Sequence, residues 1–364
     1  MIPLFYPNIS KKCFKPLKKV LQSKQIGEGP KVAEFEKAMD DYLGGPYSLM
    51  VNSGTSALYL AYLLAGIKKD DEVIVPVLNC VASPFPLLWL GAKIVFVDIE
   101  TDTLNIDQED IERKITKKTK AIVVTHLSGF PVSLERINSI ASEYNLKVIE
   151  DAAQALGAEY GEDKIGNTGN LSIFSLQSVK TLTCGDGGIL RVQTKEQYEL
   201  AKRLRWFGIN RLEKDSRYGQ NYDIKEIGYK MNATDIDATI ALAGLKELPK
   251  WLKQRQMIVD YYIENLRNVP GLQLLDSYSM CSNSNWLFHI LVERRDDFIK
   301  TMKERGIETN ISHVRNDFYT IMKDYKTHCP NMDSVEDSYV CIPLNNNLTS
   351  RQVRYIVKSI KKGW

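Results

Sequence analysis

The sequence predicts an α/β fold, in which a mainly parallel β-sheet covered by helices is followed by a smaller α+β domain. Two observations predict it. Over the first ~245 residues, short apolar runs rich in β-branched residues alternate with helical patterns, which is typical of parallel sheets with both faces covered. From about Trp251, a long helical stretch leads into shorter mixed elements. We therefore expect a large domain at 1–248 and a small C-terminal domain at 249–364.

The elements follow from the periodicity of apolar residues. In the large domain, the pattern predicts strands at 47–51, 72–75, 93–97, 121–124 and 147–149, and helices at 55–65, 81–90 and 133–144. Pro84 and Pro86 must then lie in the first turn of the helix at 81–90, where a missing N–H is tolerated. In the small domain, it predicts helices at 251–266 and 296–305 and strands at 286–292 and 308–311.

Composition argues against several classes of function. Of the 364 residues, 44% are hydrophobic and 26% charged, as in ordinary soluble globular proteins. A net charge of +3 gives no reason to expect nucleic acid or an anionic membrane as a partner. The six cysteines have no CxxC spacing, which argues against zinc and thioredoxin-like sites. Without a signal-peptide pattern or a long apolar run, we expect a cytoplasmic protein with free thiols.

A turn between a strand and a helix carries the first candidate site. Asn52-Ser53-Gly54-Thr55-Ser56 follows the strand at 47–51 and opens the helix at 55–65. Free N–H groups and the helix dipole at such a turn can bind a phosphate, with the Ser and Thr hydroxyls as further donors. A plain helix cap explains the same residues, since Ser and Thr are good N-caps.

An acidic residue at a strand end is the second candidate. The apolar strand at 147–149 runs into Glu150 and Asp151, and ligands of open α/β sheets bind outside the carboxyl ends of their strands. A carboxylate there could keep a pyridine ring nitrogen protonated and make the ring an electron sink. Taken alone, such an Asp is more often a helix cap or a metal ligand.

The third candidate is Lys180, which follows the short apolar stretch Ser172-Ile173-Phe174-Ser175 and precedes a glycine-rich turn. A partly desolvated lysine loses its proton more easily and can bond covalently to an aldehyde. Gly185, Gly187 and Gly188 would let the backbone approach a ligand closely. A surface lysine before a hairpin is the simpler interpretation of this motif by itself.

Together the three motifs are far more specific than any one of them. A phosphate turn, a strand-end Asp and a Lys that follows that Asp on one parallel sheet resemble pyridoxal-phosphate (PLP) enzymes of fold type I, whose large domain has a seven-stranded sheet. In detail, the chain resembles the DegT/DnrJ/StrS family of sugar aminotransferases. The matching segments occur in family order: 26–30, 35–36, 52–58, 71–76, 91–98, 150–154 and 174–188.

The resemblance implies a role for each matching residue. Lys180 carries PLP and moves protons, and Asp151 pairs with its ring nitrogen. Gln154 lies near the ring oxygen. The phosphate is held by Ser53, Gly54, Thr55 and Ser175. The segment Gly228-Tyr229-Lys230-Met231-Asn232 matches a stretch whose Asn, in relatives, reaches the phosphate of the other subunit, so Asn232 implies a homodimer with shared sites.

Some positions depart from the family pattern. Cys80 stands where many relatives carry an aromatic residue that stacks on the cofactor ring, and Trp206-Phe207-Gly208 replaces the usual His-Gly. His313 and Arg315 lie in a run that also differs from the family. They could contact an anionic substrate group, because Arg forks onto carboxylates and phosphates, or they could be a surface pair. His126 is a further candidate for the pocket.

The resemblance implies transamination from glutamate to a keto sugar linked to dTDP, UDP or GDP, in the synthesis of lipopolysaccharide, O-antigen, capsule or antibiotic sugars. A PLP-dependent sugar dehydratase of the same family is the nearest alternative. Those enzymes carry His in place of the cofactor lysine, and Lys180 counts against that reaction. A non-catalytic PLP-binding regulator on the same scaffold is a second alternative, against which the intact Asp151 and Lys180 argue. No metal is expected.

Overall fold

The structure of the chain is a computed structural model, and it describes residues 1–210, 223–276, 278 and 280–364. Its strands are β1 (Ser48–Val51), β2 (Glu72–Pro76), β3 (Lys93–Val97), β4 (Thr119–Thr125), β5 (Lys147–Asp151), β6 (Glu159–Tyr160), β7 (Asp163–Lys164), β8 (Leu171–Ser175), β9 (Gly188–Arg191), β10 (Leu272–Leu274), β11 (Cys281–Ser282), β12 (Phe288–Val292) and β13 (Tyr339–Ile342). Its helices are α1 (Phe14–Ser23), α2 (Pro30–Leu43), α3 (Gly54–Leu64), α4 (Phe85–Trp89), α5 (Gln108–Lys114), α6 (Leu134–Glu143), α7 (Lys195–Arg205), α8 (Asp235–Leu245), α9 (Leu248–Leu266), α10 (Arg295–Glu304), α11 (Pro330–Val335) and α12 (Ser350–Lys361).

A seven-stranded sheet with the order β1-β9-β8-β5-β4-β2-β3 organises the first half of the chain. Neighbouring strands are parallel except around β9, which is antiparallel to both β1 and β8. The predicted mainly parallel sheet is therefore confirmed. Because β1, β2, β5 and β8 all run the same way, their carboxyl ends lie along one edge, where ligands of such sheets bind.

Both faces of this sheet are buried, and alternate residues of one strand enter different cores. On β4, Val123 packs into one apolar cluster, and Ile122 and Val124 pack into the other. On β2, Ile74 lies on the opposite face from Val73 and Val75. This is the period-2 alternation of a strand, and it explains why the strands read as continuous β-branched runs.

A second, antiparallel sheet with the order β10-β12-β13 forms the centre of the C-terminal region. Apolar residues of α9, α10 and α12 cover it, among them Tyr262, Phe298 and Ile356. Ile2 joins this core and pairs with Ile307, so the first residues of the chain pack with the last third. The division into domains at 1–248 and 249–364 stays a prediction.

One predicted strand is absent from the structure, and one predicted helix is shorter than expected. The predicted strand at 308–311 is absent; only Asn310 pairs, as an isolated bridge to Cys341, while the backbone N–H and the carboxylate of Glu308 bond to the N-terminal segment. The predicted helix at 81–90 is shortened to α4, which begins at Phe85. Residues 81–84 instead form turns, with the Ser83 N–H donating to the Cys80 carbonyl at 3.1 Å.

Two kinds of structural feature are absent from the described part of the chain. None of its helices combines the length and the apolar character that crossing a bilayer requires. Within the same residues, no group of three or more His, Cys, Asp or Glu side chains is placed to hold a metal ion.

Candidate active site

The turn between β1 and α3 is built to present free backbone N–H groups. Ser53 caps α3, and its hydroxyl oxygen accepts from the Ser56 N–H at 3.1 Å. The next N–H groups of a first helical turn have no partner within the helix. Gly54 packs against Ser175, whose Cβ would lie 3.0 Å from a Cβ added at position 54. The first turn of α3, with Thr55, therefore meets the end of β8, as a shared anion site requires.

Asp151 is the last residue of β5 and is 3% exposed. One carboxylate oxygen accepts from the Ala153 N–H at 3.1 Å, and the other accepts from the Ser83 hydroxyl. Neither partner carries a charge. A buried carboxylate with two neutral donors keeps lone pairs free for a further, cationic donor.

Lys180 lies in the connection between β8 and β9, where its N–H donates to the Gln177 carbonyl at 2.9 Å. Its ammonium nitrogen stands 3.5 Å from the ring centroid of Trp286. The Trp286 indole N–H donates to the Val179 carbonyl at 2.9 Å, so the ring is fixed to the residue that precedes the lysine. This contact ties the lysine turn to the C-terminal region.

The surroundings of Lys180 favour a neutral amine. Burial lowers the pKa of Lys180 to about 8, and the charges of Cys80 and Asp151 oppose this in part. The same neighbours act on Cys80: burial raises the pKa of its thiol, and so does Asp151, whereas Lys180 lowers it. The three predicted residues therefore lie close enough to interact, and Cys80 faces the same space as the lysine.

Gln154 lies on the other side of this space. Its side-chain oxygen accepts from the Ser128 N–H at 2.7 Å, and its amide nitrogen lies 3.4 Å from Nε2 of His313. With Gln154 as donor, Nε2 of His313 is an acceptor. Burial, and then the charge of Lys180, lower the pKa of His313 to about 3. His313 can offer a hydrogen bond to a substrate at neutral pH but no positive charge.

The contacts of Arg315 differ from those expected of a residue that binds an anionic substrate. The residue is 5% exposed, and its guanidinium donates to Asp317 at 2.6 and 2.8 Å, to Asp333 at 2.5 Å and to Glu336 at 2.9 Å. Three carboxylates already surround this single cation, so it has no free face for an anionic substrate. The substrate role predicted for Arg315 is not supported by these contacts.

His126 turns away from the site. It is fully buried, its Nε2 lies 2.9 Å from a carboxylate oxygen of Glu150, and its Nδ1 accepts from the Val132 N–H at 3.2 Å. Glu150 and Asp151 are neighbours on β5 and so point to opposite faces of the sheet. His126 therefore belongs to the buried network on the far face.

Asn232 lies beside the phosphate turn of its own chain. It pairs with Val51 at the end of β1, and the Asn52 N–H donates to the Met231 carbonyl at 2.8 Å. The side chain of Asn232 is half-buried, donates to the Ala233 carbonyl at 3.1 Å and accepts from Lys230. Asn232 therefore lies at the carboxyl end of β1, next to the turn that opens α3.

Three residues of this site escaped the sequence analysis: Trp286, Ser83 and Asn79. Trp286 was expected only as the first residue of a strand, and no local pattern marks a side chain that lies against a lysine 106 positions away. Ser83 and Asn79 are spaced four apart before two prolines. That spacing is a weak signal, because it takes the turn at 80–83 to bring the two side chains together.

Comparisons with known proteins agree with this geometry. Residues 7–361 match the DegT/DnrJ/EryC1/StrS aminotransferase family. The chain belongs to this family. The solved structure of the sugar aminotransferase CalS13 from Micromonospora echinospora is 32% identical and superposes with a TM-score of 0.96 over 100% of both chains. UDP-4-amino-4-deoxy-L-arabinose–oxoglutarate aminotransferase from Shewanella sediminis is 30% identical over 99% of this chain and 97% of its own.

The PLP form of Spr1654 from Streptococcus pneumoniae is 27% identical, with a TM-score of 0.92 over 99% of this chain and 98% of that one. Aminotransferases of this family use PLP, so the predicted enzyme class, fold type and cofactor are confirmed. The donor set of this chain fits the cofactor. The start of α3 and Ser175 suit a phosphate, Asp151 suits a ring N–H, and Lys180 suits an aldehyde carbon.

Proposed function

We propose that this aminotransferase moves an amino group from glutamate to a keto-deoxysugar linked to dTDP, UDP or GDP, in the synthesis of lipopolysaccharide, O-antigen or another cell-surface polysaccharide. The observation that carries the proposal is the meeting of Asp151, Lys180 and the α3 turn at one sheet edge. Support for the substrate class comes from the relatives, one of which is named for a UDP-linked amino sugar and oxoglutarate.

Each residue has a defined task in this reaction. When bound, PLP supplies an electron-poor ring that stabilises negative charge on the neighbouring substrate carbon. Asp151 accepts the ring N–H and keeps the nitrogen positive. The N–H groups at Gly54 and Thr55, with the Ser53 and Ser175 hydroxyls, hold the phosphate.

Lys180 is the group that moves the proton. Its Nζ takes the proton from the substrate carbon next to nitrogen and returns one during the second half of the reaction. A pKa of about 8, set mainly by burial, suits this task, because an acid–base group works best when its pKa lies near the working pH. Gln154 lies near the ring oxygen, and Cys80 takes the position of the usual ring-stacking aromatic residue.

We propose a cytoplasmic homodimer in which Asn232 completes the phosphate site of the partner subunit. A mixed dimer of Lys180→Ala and Asn232→Ala chains tests the sharing. If the two residues serve one site from different subunits, one site of the mixed dimer carries both changes and the other carries none, so mixing two inactive proteins restores activity. If both act within one chain, every site carries one change and mixing restores nothing.

The substrate class is tested with a panel of 3-keto and 4-keto sugars on dTDP, UDP and GDP, with glutamate as donor. Product formation is followed by mass spectrometry, and Lys180→Ala is the control. We expect one or a few of these nucleotide sugars to gain an amino group in place of the keto oxygen. If none reacts while glutamate alone still converts the bound cofactor to its amine form, the acceptor is not a nucleotide sugar.

The alternative reaction of the family, sugar dehydration, predicts a different product in the same panel. A dehydratase would release a deoxy-keto sugar that contains no new nitrogen. Lys180 at the cofactor position counts against it, because those enzymes carry His there. The mass of the product distinguishes the two reactions directly.

A further inference from the structure

A buried chain of polar groups leads from the end of β2 to Asp151. Asn79, Ser83 and Asp151 are 1%, 0% and 3% exposed. The Asn79 amide nitrogen donates to the Ser83 hydroxyl oxygen at 2.7 Å, and the Ser83 hydroxyl donates to Asp151. Neither Asn79 nor Ser83 can touch a substrate, since both lie behind the carboxylate.

The hydrogen bond from the Cys80 N–H to Asn79 sets the direction of the hydrogen bonds that follow it, from Asn79 to Ser83 and from Ser83 to Asp151. The Cys80 N–H donates to the side-chain oxygen of Asn79 at 2.6 Å. Since that oxygen is the acceptor, the amide nitrogen of Asn79 must face Ser83. A serine hydroxyl has one proton. Because its oxygen already accepts from Asn79, its proton is directed onto Asp151.

The arrangement therefore uses Asp151 as a hydrogen-bond acceptor. Both of its neighbours in the structure, the Ser83 hydroxyl and the Ala153 N–H, are donors. Hydrogen bonds are electrostatically stronger in a buried site than in water, so these two donors act strongly on the carboxylate oxygens.

The backbone around Ser83 is held as firmly as its hydroxyl. The Tyr62 hydroxyl donates to the Ser83 carbonyl at 2.8 Å. Asn316, fully buried in the C-terminal region, donates to the Asn79 carbonyl at 2.9 Å and to the Val77 carbonyl through its backbone N–H at 2.8 Å. The titratable groups that interact with Asp151 are Lys180, Cys80 and Tyr62.

We propose that Asn79 and Ser83 are positioning residues that orient Asp151 and donate a hydrogen bond to it, so that the proton shared with the cofactor stays on the ring nitrogen. This inference rests on the proposed function, in which Asp151 accepts the ring N–H. The donated proton of Ser83 makes Asp151 a weaker competitor for the ring proton. Without the Ser83 hydrogen bond, the proton shared by Asp151 and the ring nitrogen moves toward the carboxylate, and the ring becomes a poorer electron sink.

The test uses the full-length protein loaded with PLP that carries ¹⁵N in its ring, because the ¹⁵N chemical shift reports directly whether the nitrogen is protonated. We expect a pyridinium signal in the parent and a shift toward neutral pyridine in Ser83→Ala. Apparent PLP affinity in Ser83→Ala should fall on the order of tenfold, as for loss of a hydrogen bond to a charged group. Ser83→Thr, which keeps the hydroxyl, should retain the parent signal.

Asn79 provides a second pair of variants that does not depend on Ser83→Ala folding. Asn79→Asp replaces the donor with an acceptor, so the single Ser83 proton is contested by two carboxylates. Asn79→Ala removes the donor without adding an acceptor. We expect the ¹⁵N shift toward neutral pyridine to be larger in Asn79→Asp than in Asn79→Ala.

The control is Ser359→Ala, which removes another buried serine hydroxyl, on α12, and should leave both the ¹⁵N signal and PLP affinity unchanged. A parent-like signal and affinity in folded Ser83→Ala and Asn79→Asp would overturn the positioning role. A neutral pyridine signal in the parent itself would overturn the role of Asp151, and with it that part of the proposed function. The two failures are thus distinguishable.

Discussion

The site has two walls that are built in different ways. The sheet wall consists of Gly54, Asp151 and Lys180, which lie at or beyond the carboxyl ends of the parallel strands β1, β5 and β8. The C-terminal wall consists of Trp286 and His313, behind which Arg315 holds its carboxylates. The sheet wall follows from short motifs, since a strand end fixes where its next residue lies. The C-terminal wall depends on contacts between residues far apart in the sequence.

Electrostatics separates the walls as well. The sheet wall can hold a negative phosphate at the α3 turn and a positive ring nitrogen at Asp151. In the C-terminal wall, burial lowers the pKa of His289 to about 4 and that of His313 to about 3. Both histidines are therefore neutral at physiological pH. We therefore expect the charged wall to carry the cofactor chemistry and the neutral wall to shape the space for the substrate.

Changing the charge of the sheet wall should have the largest effect on turnover. Asp151→Asn keeps the size of the side chain but removes the negative charge that faces the ring nitrogen. We expect kcat to fall about 30-fold or more, as when one partner of a buried charge pair is lost. Steady-state kinetics checks this. An unchanged kcat would mean that the ring nitrogen has another partner.

Removing the cation behind the C-terminal wall, Arg315, should destabilise the folded protein without weakening substrate binding. Arg315→Met leaves Asp317, whose side chain is fully buried, without its partner. An uncompensated buried charge costs about 3–5 kcal/mol. We expect the free energy of unfolding to drop by about that much in urea titrations, with KM for the sugar acceptor unchanged in the folded protein.

The double variant Arg315→Met, Asp317→Leu is the matched control for this prediction, because it removes both charges. It should recover much of the lost stability. If Arg315→Met instead raises KM and leaves stability intact, the guanidinium does bind the substrate and its ion pairs are incidental.

The pH dependence of cofactor capture tests the lysine in the sheet wall. Burial lowers the pKa of Lys180 to about 8, so the reactive neutral amine is scarce below pH 8 and dominant above it. When PLP is added to cofactor-free protein, its covalent bond to Lys180 can be followed by visible absorbance. The rate of this absorbance change should rise tenfold per pH unit below about pH 7 and level off above about pH 8. A rise that continues to about pH 10 would show an ordinary, hydrated lysine.

The smallest expected effect concerns Trp286, the residue of the C-terminal wall that contacts Lys180 in the sheet wall. Trp286→Leu keeps an apolar side chain beside Lys180 but removes the aromatic face, which stabilises the charged amine. A cation–π contact contributes about 0.5–2 kcal/mol. The midpoint for cofactor capture should therefore fall by about 0.4–1.5 pH units. A midpoint that rises would mean that Trp286 acts mainly by excluding water from the lysine.

The contrast between the walls also shows what the sequence could predict. The positions of Asp151 and the α3 turn followed from apolar strands and a capping serine, because strand ends and helix starts are local features. Cys80 was placed near the ring by resemblance, and its interaction with Lys180 agrees. The predicted strand at 308–311 was wrong, because pairing depends on a partner that the local pattern does not reveal.

Apart from His313, which was a candidate, the residues at the C-terminal wall could not be predicted for the same reason. Arg315 looked like an anion ligand, because the sequence does not show that Asp333 and Glu336 fold back onto it. Trp286 lies just before β12 and meets the lysine turn, which is more than a hundred residues earlier in the sequence. The segment at 211–222, which precedes the stretch ending at Asn232, lies outside the described residues.

The central claim is that Lys180 carries PLP at the edge of the sheet. It is tested most directly by the visible absorbance spectrum of the purified protein with PLP, recorded beside Lys180→Ala and before and after adding glutamate. We expect a band in the parent that glutamate bleaches and that Lys180→Ala lacks. No band in the parent, or the same band in both proteins, would contradict the assignment of Lys180 and favour a non-catalytic PLP-binding protein.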